Sequence, residues 1–524
     1  MASVATHVID PKRDRLVIVA SSLGTVFEWY DFFLYGILAA LIGRLFFPSD
    51  NETAALLASL ATFGAGFGVR PLGAMLFGHF GDVIGRKRTF LVTISLMGGA
   101  TAAIGLVPTY ASIGVWAPVS LLVLRLLQGL ALGGEYGGAA IYVAEHAPKG
   151  KRGQYTSWIQ ASVAGGFLLC LFVVIATRGS MSPEAFDDWG WRVPFLASLV
   201  MLAISLYIRM KLSESPVFQA MKDAGTTSKN PIVESFSDRK NVGKVLTALF
   251  GVAAGLTVVY YTSQFGTLYF LQGTARIPEH EALLYMAAGA TIAAPFYVWF
   301  GMLSDRIGRK RLLLIGYALS MLLTFPMFRM MAEGANPALE RAVAAAPVTV
   351  ELPPCEFSVF GKQTADCGRA LAMLSKRGIS YSKVDADTLA LRVGTLRVEG
   401  FDEARYIEAL RAAGYPDTAN PGEKQPWKII AAVAILVMLS AMTYGQVAAI
   451  LVEMFPPRIR YTSMSVPYHI GTGYFGGFLP FISQYIVVST GDAYSGLWYT
   501  VGVVALAFTV TLIWLPETLG KDID

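Results

Sequence analysis

Two stretches of the chain share one motif. Residues 78–88 read GHFGDVIGRKR, and residues 301–311 read GMLSDRIGRKR. Both fit the pattern G-x-x-x-D-x-x-G-R-K-R, and each copy ends an apolar run long enough to cross a lipid bilayer. A second pair of similar stretches begins at Glu145 and Glu453, each followed by a proline and then an arginine. Repeats on this scale indicate a protein built from two related halves.

The composition is that of a membrane protein. Of 524 residues, 54% are apolar and 15% are charged, against about 25% charged in soluble domains. These values exclude a single soluble domain and a disordered or fibrous chain. Three cysteines are too few for a disulfide scaffold. The net charge of +5 is interpreted as loop charge facing anionic lipid, so the bilayer and not a nucleic acid is the expected partner.

Twelve apolar runs are each long enough, at roughly 20 residues, to span the hydrocarbon core as helices. The runs are continuous rather than alternating, which favours helices over a closed β-barrel. The predicted fold is therefore an all-α membrane protein with twelve transmembrane helices in two six-helix halves. The approximate bounds are 16–45, 55–81, 89–107, 115–144, 155–178, 193–210, 243–271, 281–303, 311–331, 427–454, 463–489 and 494–515.

Lysine and arginine predict the orientation. If the N-terminus is cytoplasmic, that side carries 23 basic residues, and the short loops and helix ends of the opposite side carry five. The positive-inside rule therefore places both termini in the cytoplasm. We expect no cleavable signal peptide, because the first apolar run is too long and lacks a small-residue cleavage site.

The second half contains an insertion. Residues 332–426, between spans nine and ten, are polar and carry 11 basic and 13 acidic residues. Their pattern predicts a small extracytoplasmic α+β domain, which is either a lid or stabilising insert or a module that binds a partner or ligand. Cys355 and Cys367 are disulfide candidates there, since that compartment is oxidising. The predicted units are an N-terminal half (1–210), a cytoplasmic linker (211–242), three helices (243–331), the inserted domain (332–426) and three final helices with a cytoplasmic tail (427–524).

Several short segments outside 332–426 carry a family resemblance. They are Glu28-Trp29-Tyr30-Asp31-Phe32, Tyr35-Gly36, Arg70-Pro71-Leu72-Gly73, Arg125, Gln128-Gly129, Gly133-Gly134-Glu135-Tyr136-Gly137, Trp189-Gly190-Trp191-Arg192 and Glu453 with Phe455-Pro456-Pro457-Arg458. With the duplicated motif, they make the sequence resemble the major facilitator superfamily, and more narrowly its metabolite:proton symporter branch, which includes proline/betaine, α-ketoglutarate, shikimate and citrate carriers. The resemblance implies two six-helix halves with a binding site near the bilayer midplane.

Ionisable groups inside spans are candidates for proton coupling, because they are costly to bury. Asp31 lies in the first span, and Arg125 in the fourth span is its expected counter-charge. A carboxylate beside an arginine stays ionised, whereas burial without that partner favours the protonated form. Making and breaking this pair would take up and release a proton, as the resemblance also implies. The alternative is a permanent ion pair that holds helices one and four together. Glu135 is the second candidate for proton coupling. The alternative is that its side chain forms a buried interhelical hydrogen bond.

Polar and aromatic residues inside the spans are candidates for substrate binding. Each could equally be a polar core residue without a ligand. In span two, Arg70 either braces the helix or neutralises an acidic substrate group. The other candidates are Glu28, Tyr35, Gln128, Tyr136, Tyr260, Tyr261, Gln264, Tyr444, Gln446 and His469.

The duplicated charges predict a cytoplasmic gating network that holds the outward-open state and separates when the halves rock. The alternative is simple contact with lipid headgroups. The residues are Asp82, Arg86, Glu145, Arg152, Asp305, Arg309, Glu453 and Arg458.

The sequence lacks the motifs of a metalloprotease, a nucleotide-binding loop or a metal cluster, so we expect neither an enzyme nor a metal or cofactor. The predicted function is a proton-coupled symporter, in a bacterial inner membrane, that imports a small organic acid or zwitterion by alternating access and works as a monomer. Two alternatives stay open: a sensor that uses the external insert, and a proton-driven efflux antiporter.

Overall fold

The computed structural model describes residues 11–49, 52–84, 86–134, 136–210, 231–355, 359, 363–457 and 459–521. The side chains of residues 11–22, 52, 78–88, 90, 136, 142, 146, 209, 231 and 232 lie outside that description. The predicted linker 211–242 is therefore described only from residue 231.

The first half consists of apolar helices. Lipid offers no hydrogen-bond partners to the backbone N–H and C=O groups, so hydrogen bonds within the helices must satisfy them. A π-helical turn, Phe186–Gly190, joins the last two. The helices are α1 (Pro11–Ile37), α2 (Ala39–Phe46), α3 (Glu52–Gly68), α4 (Arg70–Ile84), α5 (Arg86–Leu106), α6 (Tyr110–Ile113), α7 (Trp116–Gly133), α8 (Tyr136–His146), α9 (Arg152–Gly179), α10 (Pro183–Ala185) and α11 (Arg192–Met210).

The second half has the same character but more π-helical turns, which often mark functional positions in helices. They are Ala248–Ala253, Thr262–Gly266, Phe270–Thr274 and Gly471–Gly477. The helices are α12 (Pro231–Ser237), α13 (Arg239–Thr247), α14 (Ala254–Tyr261), α15 (Thr267–Tyr269), α16 (Glu279–Ile307), α17 (Arg309–Ala335), α18 (Pro337–Ala345), α19 (Asp366–Lys376), α20 (Glu403–Ala412), α21 (Pro426–Tyr444), α22 (Val447–Met454), α23 (Arg460–Ile470), α24 (Leu479–Thr490) and α25 (Leu497–Trp514).

Among the described residues, eight helices are long and apolar enough to cross a membrane, and ten if each bent pair counts as one span. The first predicted span is such a pair, bent by 59° between α1 and α2. The third is represented by a shorter apolar helix, Leu91–Leu106, and the eleventh is divided into α23, a π turn and α24. The count of twelve therefore stays a prediction.

The described residues between 337 and 412 form a separate α+β unit between α17 and α21. Its strands are β1 (Val348–Leu352), β2 (Tyr381–Asp385), β3 (Ala390–Val393) and β4 (Leu396–Glu399), in the spatial order β2-β1-β3-β4. Strand β1 pairs in parallel with β2 and antiparallel to β3, and β3 pairs antiparallel to β4. A disulfide joins Cys355, after β1, to Cys367 in α19. The unit has a hydrophobic core of its own, distinct from that of the helical bundle.

The two halves of the bundle meet along several helices. Helix α16 packs along α9 of the first half and along α21 of its own half. We refer to the end that carries the duplicated motifs as the motif end, and to the end that carries residues 337–412 as the insert end. The membrane-embedded core between these ends positions the site described next.

Candidate functional site

Asp31 lies on α1 with its side chain turned into the first half. It is 5% exposed. The Ser198 hydroxyl on α11 donates a hydrogen bond to its carboxylate at 2.5 Å. Thr101 on α5, whose hydroxyl donates to the carbonyl oxygen of Met97 at 2.9 Å, lies near this carboxylate. A carboxylate removed from water in this way depends on such donors for its charged form.

Arg125 does not contact Asp31 directly, which differs from the sequence-based expectation of an ion pair. Its Nη1 donates to Gln128 Oε1 at 2.7 Å, and Gln128 Nε2 donates to the Thr101 hydroxyl at 2.6 Å. Because Gln128 lies one helical turn beyond Arg125, its amide takes the position expected of the carboxylate. Two neutral side chains, Gln128 and Thr101, therefore lie between the cation and the acid.

Two buried guanidinium groups flank one aromatic ring. The guanidinium carbons of Arg70 and Arg125 lie 4.5 and 4.4 Å from the centroid of Phe32. Arg70 also lies 3.9 Å from the ring centroid of Phe67, and Arg125 lies 4.6 Å from that of Tyr35. Cation–π contacts of this kind offset part of the cost of burying the charges. Arg70, the first residue of α4, thus belongs to the central cluster.

Both guanidinium groups have an unused side. The Nε and Nη2 atoms of Arg70 and of Arg125 are buried without a hydrogen-bond partner among the described residues. A buried donor without a partner costs about 1–3 kcal/mol, and more when it is charged. Nε and Nη2 together form the fork that binds a carboxylate in bidentate fashion. The arrangement can therefore bind a small anion.

The second half contributes aromatic and amide groups to the same region. Tyr260 packs on Phe33 of α1, and Tyr261 packs on Phe67 of α3, with ring centroids 6.0 and 5.3 Å apart. The hydroxyl groups of Tyr260 and Tyr261 and both polar atoms of the Gln264 side chain are buried without a hydrogen-bond partner within the described part of the chain. These groups can bind a polar ligand between the halves.

Helices α21 and α23 complete this cluster. The hydroxyl groups of Tyr444 and Tyr468 are hydrogen-bonded at 2.6 Å, and both lie within electrostatic reach of Arg70. His469 is also close to Arg70, and Gln446 is fully buried. Tyr468, like Thr101, was not among the residues singled out from the sequence.

Four other candidates for substrate binding or proton coupling are Glu28, Tyr35, Glu135 and Tyr136. Glu28 is buried on α1. Tyr35 accepts a hydrogen bond from Ser59 at 3.4 Å and packs on Arg125. Glu135, and the side chain of Tyr136, lie outside the described residues, so their predicted roles have no structural counterpart here.

The motif end is closed by contacts between the halves. The Asp305 carboxylate accepts hydrogen bonds from the backbone N–H groups of Gly153 and Gln154, both at 2.8 Å. These groups lie in the first turn of α9, where a negative charge is favourable because N–H groups there have no helical partner. Asp305 of the second half thus caps a helix of the first half.

Contacts of the other residues in the 301–311 copy explain why the motif contains these glycines and this arginine. Arg309 forms ion pairs with Asp305 at 2.7 Å and with Glu453 at 3.3 Å. Gly308 has a φ of +103°, which favours glycine, and a Cβ atom there would lie 2.5 Å from Glu517. A Cβ on Gly301 would lie 2.6 Å from the carbonyl oxygen of Gly153, so the first glycine permits close approach of α16 and α9.

Other gating candidates are distributed differently. Arg152 lies 4.0 Å from Glu453 across the halves, and its Nη1 donates to the carbonyl oxygen of Lys521 at 2.6 Å. Glu145 pairs with Arg460 at 3.1 Å, a residue that the sequence analysis did not select. Arg458, and the side chains of Asp82 and Arg86, are outside the described residues.

Contacts between the halves also close the insert end. Arg178 on α9 pairs with Glu279 on α16 at 2.7 Å. The Tyr269 hydroxyl donates to the carbonyl oxygen of Gly36 at 2.6 Å. The central polar cluster is therefore enclosed from both ends.

Comparisons with known proteins identify the family of the chain. The sequence model of the family described as "Sugar (and other) transporter" matches residues 16–245 and 413–524. The shikimate transporter of Escherichia coli (strain K12) is 38% identical over 322 residues, or 60% of this chain and 72% of that protein. The alpha-ketoglutarate permease of the same strain is 34% identical over 330 residues, or 63% and 74%. The proline/betaine transporter of that strain is 36% identical over 330 residues, or 61% of this chain and 65% of that protein.

Solved structures share the fold. A crystal structure of a D-xylose-proton symporter has a TM-score of 0.62 at 16% identity, covering 97% of this chain and 99% of that chain. A partially occluded inward-open structure of the xylose transporter XylE from E. coli has a TM-score of 0.60 at 18% identity, covering 98% of this chain and 100% of that chain. The likeness therefore extends over nearly the whole length of both proteins.

Proposed function

This chain belongs to the sugar (and other) transporter family, whose members are membrane transporters and not enzymes, and from that premise we propose that it is a proton-coupled symporter that imports a small organic acid. Its multi-pass helical architecture and its bacterial inner-membrane relatives support a location in a bacterial inner membrane. The remaining steps concern the proton, the substrate and the orientation.

The arrangement of Asp31 and Arg125 supports proton coupling. Asp31 is the buried acid, and Thr101 and Gln128 lie between it and a cation on another helix. A small movement of α5 or α11 against α1 would change how many donors face the carboxylate. The balance between its charged and protonated forms changes with those donors. Protonation and movement of the helices are thereby coupled.

The single observation that carries the substrate class is the pair of unused guanidinium forks. Arg70 and Arg125 place two positive charges in the cluster, and Nε and Nη2 of each have no described partner. A carboxylate between the halves would satisfy both the charge and the donors. The shikimate and alpha-ketoglutarate carriers among the relatives are named for organic acids. This favours an acid over a betaine-like zwitterion.

We further place the motif end in the cytoplasm, because the basic loops lie there. We also propose that the protein transports as a monomer.

Uptake by proteoliposomes tests this proposal. With shikimate and α-ketoglutarate as probes, an imposed inward proton gradient should drive accumulation, and a protonophore should abolish it. Asp31→Asn should lose gradient-driven accumulation but retain exchange of labelled for unlabelled substrate, since exchange needs no net proton movement. The matched control is Asp366→Asn, on the exposed surface of the insert, which should transport like the wild type. Undiminished, proton-driven accumulation by Asp31→Asn would refute the coupling role.

A further inference from the structure

The insert contacts both halves of the bundle at the insert end. Val359 lies in the loop that the disulfide between Cys355 and Cys367 closes. It is 7% exposed and forms a small hydrophobic cluster with Leu57 of α3 and Val488 of α24. Helix α3 belongs to the first half and α24 to the second, and the two helices pack against each other. The insert therefore lies across the boundary between the halves.

Helix α19 adds a second contact with the first half. It packs against α3, and a cavity of about 200 Å³ at this place is lined by residues of α3, α19 and α24. The last residues of α19, Ser375 and Lys376, are among them, as are Thr53 and Leu56 of α3. We refer to Val359 and the end of α19 as the strap.

The insert is attached to the second half by backbone and side-chain hydrogen bonds. The backbone N–H of Tyr381 donates to the carbonyl oxygen of Gly491 at 2.9 Å, and Lys383 Nζ donates to that of Ser489 at 2.8 Å. These bonds fix β2 to the end of α24, and the chain itself joins the insert to α17 and α21. We therefore expect the insert to move with the second half.

The insert also holds the segment that closes the insert end. A Cβ atom on Gly378, two residues after α19, would collide with the carbonyl oxygen of Gly273, so the two backbones are in contact. Arg276 has a φ of +56°, which is uncommon for a residue with a side chain, and its Nη1 donates to the carbonyl oxygen of Pro416 after the insert. The same segment carries Tyr269, whose hydroxyl donates to the backbone of the first half.

A contact that joins the two halves must break when they separate at that end, as alternating access requires. Since β2 is fixed to the end of α24, the contact that breaks is the one between the strap and α3. The disulfide restricts the loop that carries Val359, so less conformational freedom is lost when Val359 is held against α3. The cross-link thereby strengthens a contact that opposes opening.

We propose that the insert is a restraint on transport: its strap bridges the halves and holds the insert end closed, and the disulfide keeps the strap in place. In each cycle the strap leaves α3 and stays with the second half. The inference requires only that the halves separate at the insert end, and it does not depend on the proton or the substrate of the proposed function.

Distances between spin labels at the insert end test the restraint. Labels at the exposed positions 182 in the first half and 280 in the second would be placed in the full-length protein, in which the free Cys170 is buried. Val359→Ala removes two buried methyl groups and should raise the population with the long label distance on the order of tenfold. The matched control is Val384→Ala, an exposed valine on β2, which should leave the distances unchanged.

The double variant Cys355→Ser, Cys367→Ser should raise the same population, because its loop is no longer restricted. A wild-type distance distribution in either this variant or Val359→Ala would overturn the proposal, and so would an equal response of Val384→Ala. Hydrogen exchange of the β1 amides in Val359→Ala should match the wild type, since Val359 lies outside the core of the insert. Faster exchange would show that the insert itself is loosened and would also overturn the proposal. If proton-driven uptake fails while the distances respond as expected, the proposed function is wrong and the restraint stands.

Discussion

At the scale of single residues, the main feature is the pair of arginines around Phe32. Their charges are buried with cation–π partners but without a described carboxylate on their Nε–Nη2 sides. Lysine would retain each charge but would lose the planar fork. Replacing arginine by lysine at these positions therefore separates the effect of charge from that of bidentate geometry.

Arg70→Lys and Arg125→Lys should each weaken binding of an organic acid by on the order of tenfold to a hundredfold, since a hydrogen bond to a charged group contributes about 1.5–3 kcal/mol. Isothermal titration of the purified variants with α-ketoglutarate would measure this. Arg239→Lys, at an exposed position, is the control and should bind like the wild type. Wild-type affinity in both central variants would contradict the assignment of the forks.

Sequence reasoning found part of this site. Asp31, Arg125 and Gln128 are identifiable because charged and amide groups are costly inside apolar spans. Thr101 and Ser198 are not, because hydroxyl groups are common in transmembrane helices and commonly bond to their own backbone. Which hydroxyl faces a carboxylate depends on the packing of α5 and α11 against α1, for which a single sequence holds no signal.

At the scale of elements, close helix contact depends on a few glycines. A Cβ on Gly129 in α7 would lie 1.7 Å from the carbonyl oxygen of Gly66 in α3, whereas a Cβ on Gly99 in α5 would meet no atom within 4 Å. Backbone cannot yield as a flexible side chain does, so only the first position requires glycine.

Gly129→Ala should therefore lower stability by about 1–3 kcal/mol, the usual cost of overpacking. Gly99→Ala is the matched control and should be neutral or slightly stabilising, because alanine is the better helix former. Thermal unfolding of both variants in the same detergent would measure the difference. Equal melting temperatures would show that α3 and α7 can separate without cost.

The insert depends on a different interaction, between a carboxylate on β1 and arginines on β3 and β4. Arg397 and Arg392 donate to Glu351 at 2.9 and 2.6 Å. Hydrogen bonds from Arg397, with the further charge of Arg392, hold the pKa of Glu351 below its usual range. A lowered pKa means that this stabilisation is present above the pKa of an unfolded glutamate, near 4.3, and is lost as the pH falls through the lower folded value.

Glu351→Gln should loosen the insert at pH 7, and the difference from the wild type should shrink below about pH 4. Hydrogen exchange of the β1 amides in the full-length protein, corrected for intrinsic rates, would measure this. Glu399→Gln, at a largely exposed position that also contacts Arg397, serves as control and should change exchange little. An equal effect from both variants would contradict a special role for Glu351.

Element boundaries were harder to predict than element types. Helix α20 and the β3–β4 hairpin follow local patterns of capping and alternation, for example the Asp402 carboxylate that accepts from the N–H of Arg405 at 3.1 Å. The break at Leu38 and the π turn Gly471–Gly477 shift backbone hydrogen bonds without changing the apolar pattern. Tertiary packing decides those positions. The apolar pattern alone shows no break there and therefore predicts continuous spans.

At the scale of the whole molecule, the duplicated motif predicts the two halves but not which ends are closed. The preference among states is a small difference between contacts at the two ends, which no local pattern encodes. In this structure, Asp305 connects the halves at the motif end, and Arg178 with Glu279 connects them at the insert end. Removing the Asp305 contact should shift the population toward opening at the motif end, and removing the Arg178–Glu279 contact should shift it toward opening at the insert end.

Asp305→Ala should favour opening at the motif end, and Arg178→Ala opening at the insert end. Each removes charge-assisted hydrogen bonds that contribute about 1.5–3 kcal/mol, which corresponds to a population shift on the order of tenfold to a hundredfold. Spin labels at positions 149 and 311 would report distances at the motif end, and labels at 182 and 280 at the insert end. Arg369→Ala, in an exposed pair within the insert, should leave both distances unchanged. If Asp305→Ala and Arg178→Ala lengthened the same pair, the ends would not be opposed, and rocking about the central cluster would have to be abandoned.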